Sequence, residues 1–266
     1  MEVITRAQWA QENDEAAQRR HGTPEYPYVG IYPRVYGYGQ LPNVPEARLY
    51  VKKIDRAEWP ERIRDRIARR LFERTRPILP NHDQDGHSSC WCQAPVRAVE
   101  IVNYLEGRTP HLLSVESVLI PIDGRRDRGG NPEDAIDQLV HMGACHQDLW
   151  PANEFDEKKA DRRWSTERYE HKLIRFVDLR DYDEQVSFAL HDLPHVVALE
   201  WMRHAMCALD PEIIGRNEVG LRMDNSWGDW GDRGTKVYDE ESATAAHWGA
   251  WGVLLTTMRP LRAEGY

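Results

Sequence analysis

Cysteine is scarce in this chain: only Cys90, Cys92, Cys145 and Cys207 occur in 266 residues. That is too few for a disulfide-stapled scaffold, and without a CxxC pair the usual zinc-knuckle spacing is excluded too. All four are read as thiols. Long apolar runs are also missing. Nothing approaches the roughly 18 consecutive apolar residues of a membrane-spanning helix, so no membrane partner is expected. The opening MEVITRAQWAQENDEAAQRR lacks the apolar stretch of a secretory signal, and the expectation is a cytoplasmic protein. Positive charge is in deficit, with 35 Lys and Arg against 44 Asp and Glu and a net charge of −9, which argues against a nucleic-acid partner. Internal repeats and low-complexity tracts are absent. Tryptophan, by contrast, is abundant at ten residues, several of them beside the motifs below. The length suffices for one large domain or two lobes.

Residues 1–80 differ from the remainder. The segment TPEYPYVGIYPRVYGYGQLPNVPE (23–46) is too rich in Pro and Gly for a long helix or strand; it reads either as an ordered wrap presenting tyrosines or as a loop. In DRAEWPERIRDRIARRLFERT (55–75), Trp59, Ile63, Ile67 and Leu71 recur every four residues, predicting one amphipathic helix stopped by Pro77 and Pro80. A second helix is predicted from Cys90 to about Glu106, with Gly107 as its stop. NPED at 131–134 announces a third: Asn131 caps it, Pro132 fits the first turn, and it ends near Gly143. Beyond about residue 170, VSFAL (186–190), HVVALEW (195–201), HAMCAL (204–209), VGLRM (219–223) and TKVY (235–238) read as short strands. Helices first and strands later predict an α+β domain.

Three local patterns carry chemistry. In QDGHSSCW (84–91), Cys90 opens a predicted helix, where unpaired backbone N–H groups and the positive helix end favour a thiolate. Gln84, six residues earlier, is placed to join the Cys90 N–H in an oxyanion hole. His204 opens a strand far along the chain, as the base of a Cys–His pair often does. Asn225, in MDNSWGDWGDRG, can accept the imidazole N–H and hold its tautomer, with Trp227 shielding that bond from water. His195 also opens an apolar run, but HVVALEW fits better as the strand preceding the histidine strand. His82, His87, His141 and His146 read as surface or site-neighbouring histidines. Cys92, Cys145 and Cys207 read as core thiols.

In the order Gln84, Cys90, His204, Asn225, these motifs resemble the papain family of cysteine peptidases over roughly residues 81–240. LLSVESVLI (112–120) looks like the family's segment after the nucleophile helix, and RGGNPEDAIDQLVHMGA (128–144) is similar to its Gly-Gly turn and next helix. The resemblance implies a two-lobe fold: a helical left lobe (about 81–165) with the nucleophile helix, and a β-barrel-like right lobe (about 166–266). Residues 1–80 would be an atypical N-terminal extension. It also implies that Gly129, Gly130 and Trp91 bind an extended peptide or protein substrate, and that no metal or other cofactor is needed. Departures exist. His87 replaces the family's usual disulfide cysteine, the asparagine motif is one residue short, and Pro95 falls inside the nucleophile helix, where it should kink it. The family's usual helical propeptide motif is missing from residues 1–80.

The expected reaction is cysteine endopeptidase chemistry. The alternative is a papain-like scaffold serving as an assembly component, for example of a phage particle and hence virion-associated, docking partners through residues 1–80. Acyl transfer to amine or thiol acceptors is a third outcome of the same thioester. The missing leader and few cysteines fit a bacterial or phage source.

Overall fold

The computed structural model describes residues 3–4, 45–124, 129–172, 175–244, 247–255 and 258. Seven strands form one sheet: β1 (Val3–Ile4), β2 (Phe176–Asp178), β3 (His195–Leu199), β4 (His204–Ile213), β5 (Val219–Asp224), β6 (Thr235–Tyr238) and β7 (His247–Val253), in the order β1-β6-β5-β4-β3-β7-β2. All pairings are antiparallel except β1 with β6. The runs read at 195, 204, 219 and 235 are therefore strands, and HVVAL does precede and pair with the histidine strand.

Both faces of this sheet are covered, which is why its strands read as near-continuous apolar runs. Successive side chains alternate between faces. Val196, Ala198, Ala205, Cys207 and Leu209 join the helical-lobe core with Cys90, Trp91 and Ile101. Val197, Leu199, Met206, Ala208 and Leu221 join a second core on the opposite face. The helical lobe contains α3 (Cys90–Leu105), α4 (Glu116–Asp123) and α5 (Pro132–His141). The second core is closed by α7 (Tyr182–Leu190) together with Ala47, Tyr50, Val51, Ile54, Trp59 and Ile63. Residues 47–63 thus pack on the far side of the β lobe, whereas Leu71, Phe72 and Leu79 join the helical-lobe core. The Tyr/Pro/Gly-rich run lies outside the described residues apart from Pro45 and Glu46.

Helix α3 matches its expected bounds, runs unbroken through Pro95, and is followed by Gly107 at φ 76°. Helix α5 starts as expected, with the Asn131 side chain accepting the Glu133 N–H at 2.9 Å. Two expectations fail. The predicted single helix over 55–75 is broken: α1 (Trp59–Asp65) ends early, Ile67 is 54% exposed, and α2 (Leu71–Thr75) begins afresh. The buried carboxylate of Asp210 accepts the Leu71 and Phe72 N–H groups at 3.0 and 2.8 Å. A cap supplied from β4 thus sets a new helix start that periodicity cannot reveal. VSFAL is not a strand but the second half of α7. Asp181 accepts the Glu184 N–H at 2.8 Å, and Tyr182, Val186, Ala189 and Leu190 form one buried helical face. Local β propensity lost to a cap and a longer period. α6 (Trp164–Glu167) and α8 (Glu240–Thr244) complete the described helices.

Candidate active site

Cys90 is the first residue of α3, following Ser89 as N-cap, and is fully buried. The Cys92 and Gln93 N–H groups both turn back to the Ser89 carbonyl, at 2.9 and 3.0 Å. One turn along α3, Gln93 and Ala94 line a small cavity with Ala205, Asn225 and Ser226. The start of α3 therefore faces the start of β4 and the loop after β5, where His204 and Asn225 reside.

His204 is also fully buried, and its Nε2 lies 2.7 Å from Asn225 Oδ1. An amide oxygen only accepts, so Nε2 carries the proton and Nδ1 is left as the basic nitrogen. The Trp227 ring lies over the imidazole, with centroids 4.6 Å apart and planes at 35°. Trp230 meets Trp227 edge-on at 5.4 Å, and the Lys236 ammonium sits 4.4 Å over Trp230. The tilted Trp227 ring and the edge-on Trp230 ring thus cover the imidazole on one side.

Gln84 reaches the same place because two loops are zipped together. Its N–H donates to the Ser226 carbonyl at 2.9 Å, the Gly228 N–H donates to the His82 carbonyl at 3.2 Å, and Asp83 bridges Trp227. Asn81 Nδ2 donates to the Asn225 carbonyl at 2.7 Å. Gly228 has φ 61°, and a Cβ there would lie 2.8 Å from the Asp83 carboxylate, so any other residue would be strained. The Ser226 hydroxyl donates to Gln84 Oε1 at 2.6 Å, while Gln84 Nε2 donates to the His87 carbonyl. Asp85 and Gly86, both left-handed, make the turn that folds residue 84 back on 87.

Trp91 is buried directly after Cys90, and Gly130 lies against it: a Cβ at 130 would fall 2.4 Å from Trp91 Cε2. Gly129 is buried beside it. The Gly-Gly turn thus adjoins the start of α3.

Beneath the site runs a buried charged network. Arg97 donates from Nε to Asp224 Oδ2 (2.8 Å), from Nη1 to Glu100 Oε2 (3.0 Å) and from Nη2 to the Leu79 carbonyl (2.8 Å). Arg76 lies 2.9 Å from the same Asp224 oxygen. His82 reaches Gln93 Oε1 at 2.7 Å and Glu100 Oε1 at 2.9 Å. Both partners are acceptors, so His82 is an imidazolium donating from both nitrogens. Burial pulls its pKa down, but the Glu100 charge and hydrogen bond outweigh this and raise it. Glu100 is lowered despite its burial, by His82, Arg97 and the Leu113 N–H. Through Asp224, this network fixes the residue next to Asn225 to the middle of α3.

Sequence reading missed Ser226 as the anchor of Gln84, and it missed the Arg97–Asp224–Glu100–His82 network. Ser226 sat in plain view inside NSWG. The remaining side chains carried no local signal, because their partners are up to 127 positions apart. The three other cysteines behave as core thiols: all are buried, and no disulfide forms among the four. Burial, followed by neighbouring negative charge, raises Cys92 and Cys207 well above the ordinary thiol range, and burial pushes Cys145 up to about 11. His195 is fully buried, neither ring nitrogen has a hydrogen-bond partner, and burial lowers its pKa to about 3. No helix among the described residues is long and apolar enough to cross a membrane.

No protein-family model and no curated protein sequence matches this chain. Solved structures do. Xylellain, a cysteine protease from Xylella fastidiosa, superposes with a TM-score of 0.58 at 18% identity, covering 84% of this chain and 98% of xylellain. Digestive procathepsin L 3 of Tenebrio molitor larval midgut gives 0.57 at 16% identity, covering 92% and 79%. A Carica candamarcensis cysteine protease in complex with E-64 gives 0.52 at 17%, covering 70% and 97%. The fold is therefore the α+β, two-lobe architecture of papain-like cysteine proteases.

Proposed function

We propose that this papain-like chain is a thiol-dependent endopeptidase, with Cys90 as nucleophile, His204 as its base and Asn225 orienting that base. The observation carrying this reading is the 2.7 Å contact of His204 Nε2 with Asn225 Oδ1 under Trp227. That contact turns the basic nitrogen away from Asn225 and leaves it for a thiol. Cys90 at the first position of α3 offers a backbone N–H that the helix itself does not use. The Gln84 amide has two N–H donors, one of which is spent on the His87 carbonyl. The Gln84 amide, with the Cys90 N–H, would meet the oxyanion.

In this mechanism the Cys90 sulfur attacks the scissile carbonyl and His204 passes a proton to the leaving amine. The resulting thioester is hydrolysed by water activated through His204. Loss of one oxyanion donor typically costs about 10²–10³ in rate, so Gln84→Ala is expected to fall in that range. Gly130 and Trp91 would form one wall for an extended peptide, bound by main-chain hydrogen bonds from the Gly129–Gly130 turn. Four cysteines without a disulfide suit a reducing compartment.

E-64, the compound bound in the Carica protease structure, supplies the test. The wild type should take up one equivalent at Cys90 and lose peptide cleavage, while Cys90→Ala should neither label nor cleave. A folded wild type that resists labelling and cleaves no peptide would overturn the peptidase reading and favour the scaffold.

A further inference from the structure

His146, Glu167 and His171 converge in the helical lobe, and the proposed acyl chemistry uses none of them. Glu167 ends α6, and a 3₁₀ turn over Arg168–His171 continues it, so Glu167 and His171 share one helical face. His146 follows Cys145 in the turn that bridges back to Leu113. Glu167 spans the two. Its Oε2 accepts the His146 backbone N–H at 3.0 Å, which orients the carboxylate. Its Oε1 then lies 3.2 Å from His146 Nε2 and 3.1 Å from His171 Nε2. The three donor atoms lie within 4.8 Å of one another.

The spacing resembles that of metal ligands. A tetrahedral ion bound at about 2.1 Å separates its ligands by roughly 3.4 Å. Two of the three edges are already within a few tenths of that value. His146 Nε2 is buried and makes no hydrogen bond despite its approach to the carboxylate, so proximity here is not explained by an aligned N–H···O contact. Supporting contacts are in place. The His111 ring stacks on His146 at 3.9 Å and 27°, and the Asn103 amide lies 3.5 Å from His171 Nδ1. Half a turn of that amide would present its oxygen to an Nδ1–H, as a ligand's outer partner does.

We propose that His146 Nε2, a Glu167 carboxylate oxygen and His171 Nε2 bind one borderline divalent metal ion of the Zn²⁺ type, with solvent at the fourth position. The ion would cross-tie the turn at 146 to the helical stretch 164–171. It would stand apart from the thiol chemistry.

The test uses the full chain as Cys90→Ala, so that the thiol cannot itself capture metal. After chelator treatment it is titrated with Zn²⁺ by calorimetry and with Co²⁺ by visible d–d absorption. One equivalent should bind, and Zn²⁺ should raise the melting midpoint. Glu167→Gln keeps an acceptor for the His146 N–H and should stay folded. Both it and His171→Ala should weaken the ion by at least about tenfold and abolish the thermal shift. Absence of binding would reduce the cluster to a hydrogen-bonded strut, and unchanged binding in both variants would place the ion elsewhere. Either result overturns the assignment.

Discussion

Replacing Arg97 by methionine should weaken the fold and slow the reaction together, because one guanidinium holds both α3 and the residue before Asn225. Methionine keeps most of the apolar stem, so the change isolates the charge. Three buried acceptors lose a donor: Asp224, Glu100 and the Leu79 carbonyl. Breaking a buried ion pair from one side typically costs ~3–5 kcal/mol. Here Arg76 still stands 2.9 Å from Asp224 and His82 2.9 Å from Glu100. Neither carboxylate is left alone, which argues for the lower end, ~3 kcal/mol. For a chain of this size that corresponds to a fall of roughly 6–12 °C in melting midpoint. The melt is best read in the Cys90→Ala background, where self-cleavage cannot intrude. At temperatures where the variant remains folded, kcat of Arg97→Met in the otherwise native chain should drop about tenfold, or ~1.4 kcal/mol. Asp224→Asn closes a double-mutant cycle, with an expected coupling of roughly 1–3 kcal/mol. A single-variant loss within about 0.5 kcal/mol of wild type, the range of an ordinary surface change, would refute the reasoning. So would strict additivity in the cycle.

Ser226→Ala removes the hydroxyl that holds the Gln84 carbonyl. A net hydrogen-bond contribution of about 0.5–1.5 kcal/mol predicts a roughly two- to tenfold loss of kcat, with KM little changed. An unchanged kcat would mean that Ser226 does not position Gln84. Gly130→Ala forces the buried Trp91 indole to move, since the new Cβ would lie 2.4 Å from Cε2. Overpacking of this kind costs about 1–3 kcal/mol. Peptide KM should rise severalfold, whereas equal stability and equal KM would place the Gly-Gly turn outside the substrate wall.

Elements whose determinants are local were legible in the sequence. Asn131 with Pro132 marked α5, Gly107 marked the end of α3, and short β-prone runs marked β3 to β6. What could not be read depends on a distant partner. Asp210 caps α2 across 138 positions or more, which splits a pattern that is periodic on its own. VSFAL was misread for a related reason: its capping aspartate lies outside the apolar run that drew attention. At the candidate site the residue types and their order were visible. The loop pairing of 81–84 with 225–228 and the charged layer below it were not, because buried charges resemble surface charges until the fold supplies their partners.

Two buried histidines make opposing predictions about pH. The folded pKa of His82 is raised above its ordinary 6.5. Its stabilisation is therefore fully present below 6.5 and is lost as pH rises through the raised value. His195 is lowered from 6.5 to about 3, by burial alone. Between those values the unfolded chain binds a proton that the folded chain refuses. Stability is then intact above 6.5 and falls by about 1.4 kcal/mol for each pH unit below it. Glu100, lowered from 4.5, adds to the acid limb as pH drops through its folded value. Melting midpoints measured across pH should therefore peak near 6.5. His195→Leu should make the acid limb shallower down to about 4.5. It should also leave the neutral midpoint equal or higher, because both ring nitrogens lack partners in the native core. His82→Gln should lower the midpoint at pH 6 and remove the alkaline decline. Parallel profiles for His195→Leu and wild type between pH 4.5 and 6.5 would mean that His195 accepts a proton within the fold, contrary to its dry, unpaired setting beside Phe188.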